Sequence, residues 1–326
     1  MKAATFLSLA LACAGACSSL AQDALTIAVI PKGTTHDYWK AIHAGAVKAQ
    51  RELQSQGVKV EILWKGPLRE DDREQQIQVV ENFRTKHVSG IALAPLDSQA
   101  LVAPVATAMD SKIPVVIFDS GLKTEKYVSY IATDNHKGGE LAAAELGRLL
   151  GGKGRVILLR YAVGSASTEE REAGFLDGLA KFPGIKLISS DQHAGPTRET
   201  AYQASQNILN RFGREVDGVF CPNETATVGM AKALRDIGKA GGKVKMVGFD
   251  SGAQSVIDLK NGDVQGLVVQ DPVRMGYLSV LTLVKQIKGE KVEKRIDTGV
   301  HIITPENMNQ AEMKELLYPP VDKYLK

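Results

Sequence analysis

The chain has 326 residues, 44% of them hydrophobic, enough apolar material for two globular lobes with sizeable cores. Its formal charge of +3 is not gathered into any basic run, which excludes a nucleic-acid surface of the usual electrostatic kind. No segment beyond the N-terminus reaches the roughly 18 consecutive apolar residues of a membrane helix.

Residues 1–22 read as an export signal, with Lys2, an apolar stretch at 6–16, and Ser19-Leu20-Ala21 as a small-residue cleavage site. The alternative is lipid attachment at Cys17 in Ala14-Gly15-Ala16-Cys17, a box that lacks leucine at its first position; cleavage after Ala21 ranks ahead of it. Cys13 and Cys17 lie within the signal, so the exported chain keeps only Cys221 and forms no internal disulfide. Cys221 reads as a small buried hydrophobe at a strand end rather than a catalytic thiol.

After the signal, apolar runs alternate with helical patterns at a spacing of about thirty residues. Strands are predicted at 25–30, 58–63, 90–94 and 114–119, with helices at 38–54, 71–86 and 99–109 between them. Continuously apolar strands that each lead into a helix argue for a parallel sheet covered on both faces, and right-handed crossovers make it doubly wound. The pattern then restarts. Strands are predicted at 155–159, 185–190, 218–221 and 245–249, with helices near 167–181, 198–212, 224–237 and 253–260. A strand at 266–269 leads to a helix at 272–287, and the tail from 291 mixes short extended runs with a weak helix. Two echoes support a duplicated architecture: Phe118-Asp119-Ser120-Gly121 against Phe249-Asp250-Ser251-Gly252, and Pro95 against Pro222, each just past a strand. The fold class is therefore α/β, with two Rossmann-like doubly wound lobes.

In open α/β sheets, ligands sit beyond the carboxyl ends of the strands. His36, Asp119, Asn223, Asp250 and Gln270 all fall there, and Arg171 opens a helix after the 155–159 strand. Singly, such residues are more often helix caps or turn formers; Asp250 is placed to cap the next helix, and Arg171 to pair with Glu169 or Glu170 on the surface. Together they are chemically coherent. Carboxylates, amides and a guanidinium offer paired sites for adjacent hydroxyls, while Tyr38 and Trp39 offer rings for apolar C–H faces. That combination suits a sugar. Trp64, past the second strand, is expected in core or surface packing rather than in the cleft.

No G-x-S-x-G elbow, H-E-x-x-H or C-x-x-C is present. "GGKGR" at 151–155 precedes a strand instead of following one, so it reads as a turn and not a phosphate loop. The six histidines show no metal-ligand spacing. No catalytic residue, metal or cofactor is expected. The enzymatic alternative, an exported glycoside-processing enzyme, would use Asp119 and Asp250 as a carboxylate pair.

The segments "TIAVIPKGTTHDYWKAIHAGA", "IPVVIFDSG", "IATDNHKGG", "EEREAGF", "GVFCPNETATVGM", "MVGFDSG" and "VVQDPVRMG", in that order, make the mature chain resemble the periplasmic sugar-binding proteins of the ribose-binding type. The resemblance implies a type I periplasmic binding protein fold: two lobes joined by a three-segment hinge with crossings near Thr133-Asp134, Gln270-Asp271 and Thr298-Gly299. It divides the chain into a signal at 1–22, a first lobe of 23–133 plus 271–298, and a second of 134–270 plus 299–326. It implies ligand contacts at His36, Tyr38, Trp39, Asp119, Arg171, Asn223, Asp250 and Gln270. It implies a monomeric, non-enzymatic periplasmic receptor that binds a monosaccharide or polyol and delivers it to an ABC permease in the inner membrane. The alternative is a sensory receptor serving a chemoreceptor or sensor kinase. The related repressors are disfavoured, because the N-terminus is a signal and leaves no DNA-binding helices. The chain departs from the ribose receptors at three points: Ser120 replaces an arginine, His36 an asparagine, and a residue near Pro196 an aromatic.

Overall fold

The computed structural model describes residues 24–325, so the signal and the lipid-attachment alternative lie outside the described residues. The first half runs β1 (Leu25–Ile30), α1 (Asp37–Ser55), β2 (Val60–Trp64), α2 (Arg73–Thr85), β3 (Gly90–Leu93), α3 (Val102–Asp110), β4 (Val115–Phe118) and β5 (Ser129–Ala132). The second runs α4 (Asn135–Leu149), β6 (Lys153–Leu158), α5 (Ala166–Leu179), β7 (Gly184–Ser189), α6 (Arg198–Phe212), β8 (Gly218–Phe220), α7 (Glu224–Asp236), β9 (Lys245–Phe249), α8 (Ala253–Asn261) and β10 (Gly266–Val269). The chain ends with α9 (Pro272–Ile287), β11 (Arg295–Asp297), β12 (His301–Ile303), α10 (Ala311–Leu317) and α11 (Val321–Leu325).

Two six-stranded sheets result, ordered β11-β5-β4-β3-β1-β2 and β12-β10-β9-β8-β6-β7. The orders correspond strand for strand, so the duplication legible in the sequence is a duplication of topology. All neighbours are parallel except β12, which runs antiparallel to β10. Side-chain alternation splits each strand between two apolar layers: Ile27 and Val29 face one core, Ala28 and Ile30 the other. Ile157 and Leu159 divide from Val156 and Leu158 in the same way in the second sheet. Sheets buried on both faces explain why the strands read as continuous apolar runs rather than alternating ones.

β5 and α4 carry no run that periodicity singles out. β5 is short and opens with Ser129, while α4 is diluted by glycine and alanine. Asp134 starts α4 by accepting from the Lys137 N–H at 2.9 Å. The glycines of α4 have a packing reason, because a Cβ on Gly139 would overlap the Arg171 carbonyl of α5. The close approach of α4 and α5 thus helps place Arg171.

Met313 and Leu317 of α10 pack into the core of the second sheet. α11, which the sequence division puts with the second lobe, lies instead against α1 of the first. There the Arg51 guanidinium donates to the carbonyls of Lys323 and Tyr324 at 2.9 and 3.0 Å. Cys221 is fully buried, and burial raises its thiol pKa, consistent with a packing role. Among the described residues no helix is long and apolar enough to cross a membrane.

Candidate functional site

The carboxyl ends of the two sheets face one another across a narrow cavity between the closed lobes. His36, Tyr38, Trp39, Asp119, Arg171, Asn223, Asp250 and Gln270 all line it. Six further residues do too: Lys32, Glu70, Tyr161, Ser167, Thr168 and Glu224.

Asp119 and Asp250 follow β4 and β9, the equivalent strands of the two sheets. Both adopt left-handed backbone, with φ of 61° and 71°. That conformation is costly for a non-glycine residue, and its recurrence at both Phe-Asp-Ser-Gly turns shows a shared device for turning a carboxylate toward the cavity. Asp119 accepts from the Tyr38 hydroxyl at 2.7 Å and pairs with Lys32 at 3.3 Å. Asp250 accepts from the Gln270 amide at 2.8 Å and from the Glu224 N–H at 3.2 Å. It does not cap α8, whose N-cap is Gly252. Burial pushes the Asp250 pKa up to about 6, with Arg171 and the Gln270 bond opposing, and Glu224 and Asp119 adding to the rise.

Arg171 is 2% exposed, so the surface-helix reading fails. Its Nε donates to Asn135 Oδ1 at 2.8 Å and its Nη1 to the Pro222 carbonyl at 2.9 Å. The guanidinium lies 3.8 Å from the centre of the Phe249 ring. Asn223 has both of its candidate roles: it caps α7 by accepting from Ala226 N–H and also lines the cavity.

Tyr38 and Trp39 sit edge to face, ring centres 5.0 Å apart. Both border the cavity and both pack on the first sheet's core, because the start of α1 lies at the junction of core and cleft. Trp64 stays outside the cavity and stacks on His43 at 4.4 Å.

Glu70 organises the first lobe's end of the site. Its Oε1 accepts from Trp39 Nε1–H and pairs with His36 Nδ1, each at 2.7 Å, and its Oε2 accepts from the Tyr161 hydroxyl at 2.8 Å. Burial alone would raise its pKa, but His36, Lys32 and Trp39 together hold it down to about 2. The His36 pKa is raised in return: burial works against its charge and the Glu70 bond outweighs it. Lys32 was open to sequence reasoning as a lysine directly after an apolar strand, in "VIPKG". It supplies beside Asp119 the positive charge that Ser120 does not. Glu70 and Tyr161 gave no local signal, since neither follows its strand directly and each acquires its role from a partner far away in sequence.

Several of these bonds cross between the lobes. Lys32 Nζ donates to Ser165 Oγ and Ser167 Oγ at 3.2 and 3.0 Å, and Tyr161 reaches Glu70. Ser98 N–H meets the Gly164 carbonyl at 2.9 Å, and Ser167 N–H the Ser120 hydroxyl at 3.1 Å. The lobes are closed on each other. The Tyr161 bond ends on a charged acceptor, an interaction worth about 1.5–3 kcal/mol. Tyr161→Phe is therefore expected to leave the unliganded protein more open in small-angle scattering; an unchanged radius of gyration would remove this bond from closure.

Residues 27–291 match the family described as periplasmic binding protein domain. The chain is 30% identical to the ribose import binding protein of Haemophilus influenzae over 304 residues, 93% of this chain and all of that protein. Among solved structures it resembles a carbohydrate transporter solute binding protein from Agrobacterium radiobacter in complex with D-arabinose. The TM-score is 0.84 and the identity 34%, covering 91% of this chain and 100% of that one. It resembles equally an ABC transporter solute binding protein from Agrobacterium vitis with bound D-fucose. There the TM-score is 0.84 and the identity 33%, covering 90% of this chain and 100% of that one.

Proposed function

The chain belongs to the periplasmic binding protein domain family, and on that premise we propose that it is an exported receptor that closes on a monosaccharide or similar polyol and delivers it to an ABC permease. The observation that carries this reading is the convergence, on one buried cavity, of two rings with carboxylates, amides and a guanidinium drawn from both halves of the chain. Hydroxyls both donate and accept, so they are satisfied by such a mixed set, and ring faces suit the C–H surface of a sugar. In this reading Tyr38 and Trp39 are the apolar wall. Asp119, Arg171, Asn223, Asp250 and Gln270 hold hydroxyls, and His36 adds a ligand contact at the first lobe's end of the site, where Glu70 holds its ring.

The two lobes turn about the crossings near residues 133–134, 270–271 and 298–299, and the ligand stabilises the closed form by contacts that only that form provides. Micromolar affinity corresponds to about −8 kcal/mol, within reach of a few charge-assisted hydrogen bonds and ring contacts after ordering costs. The closed shape is what the permease recognises, and the receptor works as a monomer.

A thermal-shift screen across pentoses, hexoses, deoxy sugars and polyols tests this. One class is expected to raise the melting temperature, by about 2.7 kcal/mol of stability at a hundred times its Kd. No shift with any of the four classes would overturn the reading.

A further inference from the structure

Building on the receptor reading, we infer that Glu224 is a specificity-determining contact: its free carboxylate oxygen requires a hydrogen-bond donor from the ligand, a free hydroxyl at one ring position. Glu224 stands at the first position of α7, immediately after Asn223, and is 2% exposed. Its Oε1 is taken by Arg198 Nη2. Its Oε2 is buried without a protein partner, and the side chain lines the cavity. A buried carboxylate oxygen left unpaired is costly, so the site is built for something that donates to it.

Gln270 sharpens the requirement. Its Nε2 is committed to Asp250, which sets the orientation of the amide and leaves Oε1 as the free end. That oxygen too is buried and unpartnered, and Gln270 lines the cavity. This end of the site therefore offers two acceptors. On the opposite lobe, the Lys32 ammonium is already engaged by Asp119, Ser165 and Ser167. The selectivity is for donors at the Glu224 end, not for an acidic group.

Gly252 makes the placement possible. A Cβ there would come within 2.6 Å of the Glu224 carboxyl carbon. The Gly252 backbone has φ of −55°, which alanine adopts freely, so only space requires glycine. Gly252→Ala therefore displaces the Glu224 carboxylate without changing its chemistry.

The test is calorimetry with a panel of pentoses, hexoses, deoxy sugars and polyols, D-ribose, D-arabinose and D-fucose among them, followed by the monodeoxy analogues of whichever binds best. For the wild type, one deoxy analogue is expected to lose roughly 10- to 100-fold in affinity, the worth of a hydrogen bond to a charged group. Glu224→Gln should weaken the parent sugar by a similar factor and bind that analogue no worse than the parent. Gly252→Ala should do the same, which separates loss of the contact from any folding defect of the first variant. If both variants discriminate the deoxy series as the wild type does, Glu224 does not set specificity while the receptor reading stands. If the wild type binds no member of that panel, the receptor reading and this inference fall together.

Discussion

Arg171→Ala is expected to abolish sugar binding in titration calorimetry and to lower the melting temperature of the unliganded protein. The guanidinium is almost fully buried and connects three things at once: Asn135 at the start of α4, the Pro222 carbonyl after β8, and the Phe249 ring at the end of β9. Removing it leaves a buried amide oxygen and a buried carbonyl unsatisfied. It also takes away the positive charge that restrains Asp250. Each buried acceptor left without its donor costs about 1–3 kcal/mol. Arg171→Lys should not restore binding, because a single ammonium cannot reproduce two planar donors and a stacked face. Wild-type affinity in Arg171→Ala would remove this residue from the site.

Asp250→Asn is expected to abolish binding yet stabilise the unliganded protein at neutral pH. Its folded pKa of about 6 lies above the ordinary value of 3.8, so between those values the native state holds more protons than the unfolded one. Stability contributed by the protonated carboxyl is fully present below pH 3.8 and is lost as pH rises through 6. At pH 7 the ionised, buried carboxylate therefore costs as much as about 3 kcal/mol, by the usual conversion of a pKa difference. Asparagine carries no charge and keeps an oxygen for Gln270 or the Glu224 N–H. Denaturant melts from pH 4 to 7 should show the variant gaining on the wild type as pH rises. A variant less stable at pH 7, or a constant difference across that range, would refute the assignment. Loss of binding together with gained stability would identify a trade of one for the other at Asp250.

Most of the frame was legible from residue order. The continuous apolar runs at 25–30, 245–249 and 266–269 marked strands covered on both faces, and their positions agree with β1, β9 and β10. The Phe-Asp-Ser-Gly echo marked equivalent strand ends, because the same left-handed turn is needed at both. β5 and α4 escaped because their glycines and short apolar runs answer to packing against α5 and the sheet, not to local periodicity. The tail escaped in part because α11 is held on α1 by Arg51, some 270 residues earlier in the chain.

The sequence alone determined that polar groups of both halves stand at strand ends, since strand direction and side-chain alternation are local properties. It could not say which of those groups would be spent on one another. Only the tertiary structure decided that Glu70 gathers His36, Trp39 and Tyr161, that Lys32 takes up Asp119, and that Glu224 and Gln270 each keep a buried oxygen free. The physical reason is that these partners are 31 to 91 residues apart in the chain, so the folding of the first lobe brings His36, Trp39 and Glu70, and Lys32 and Asp119, together, and only closure of the two lobes brings Tyr161 to Glu70.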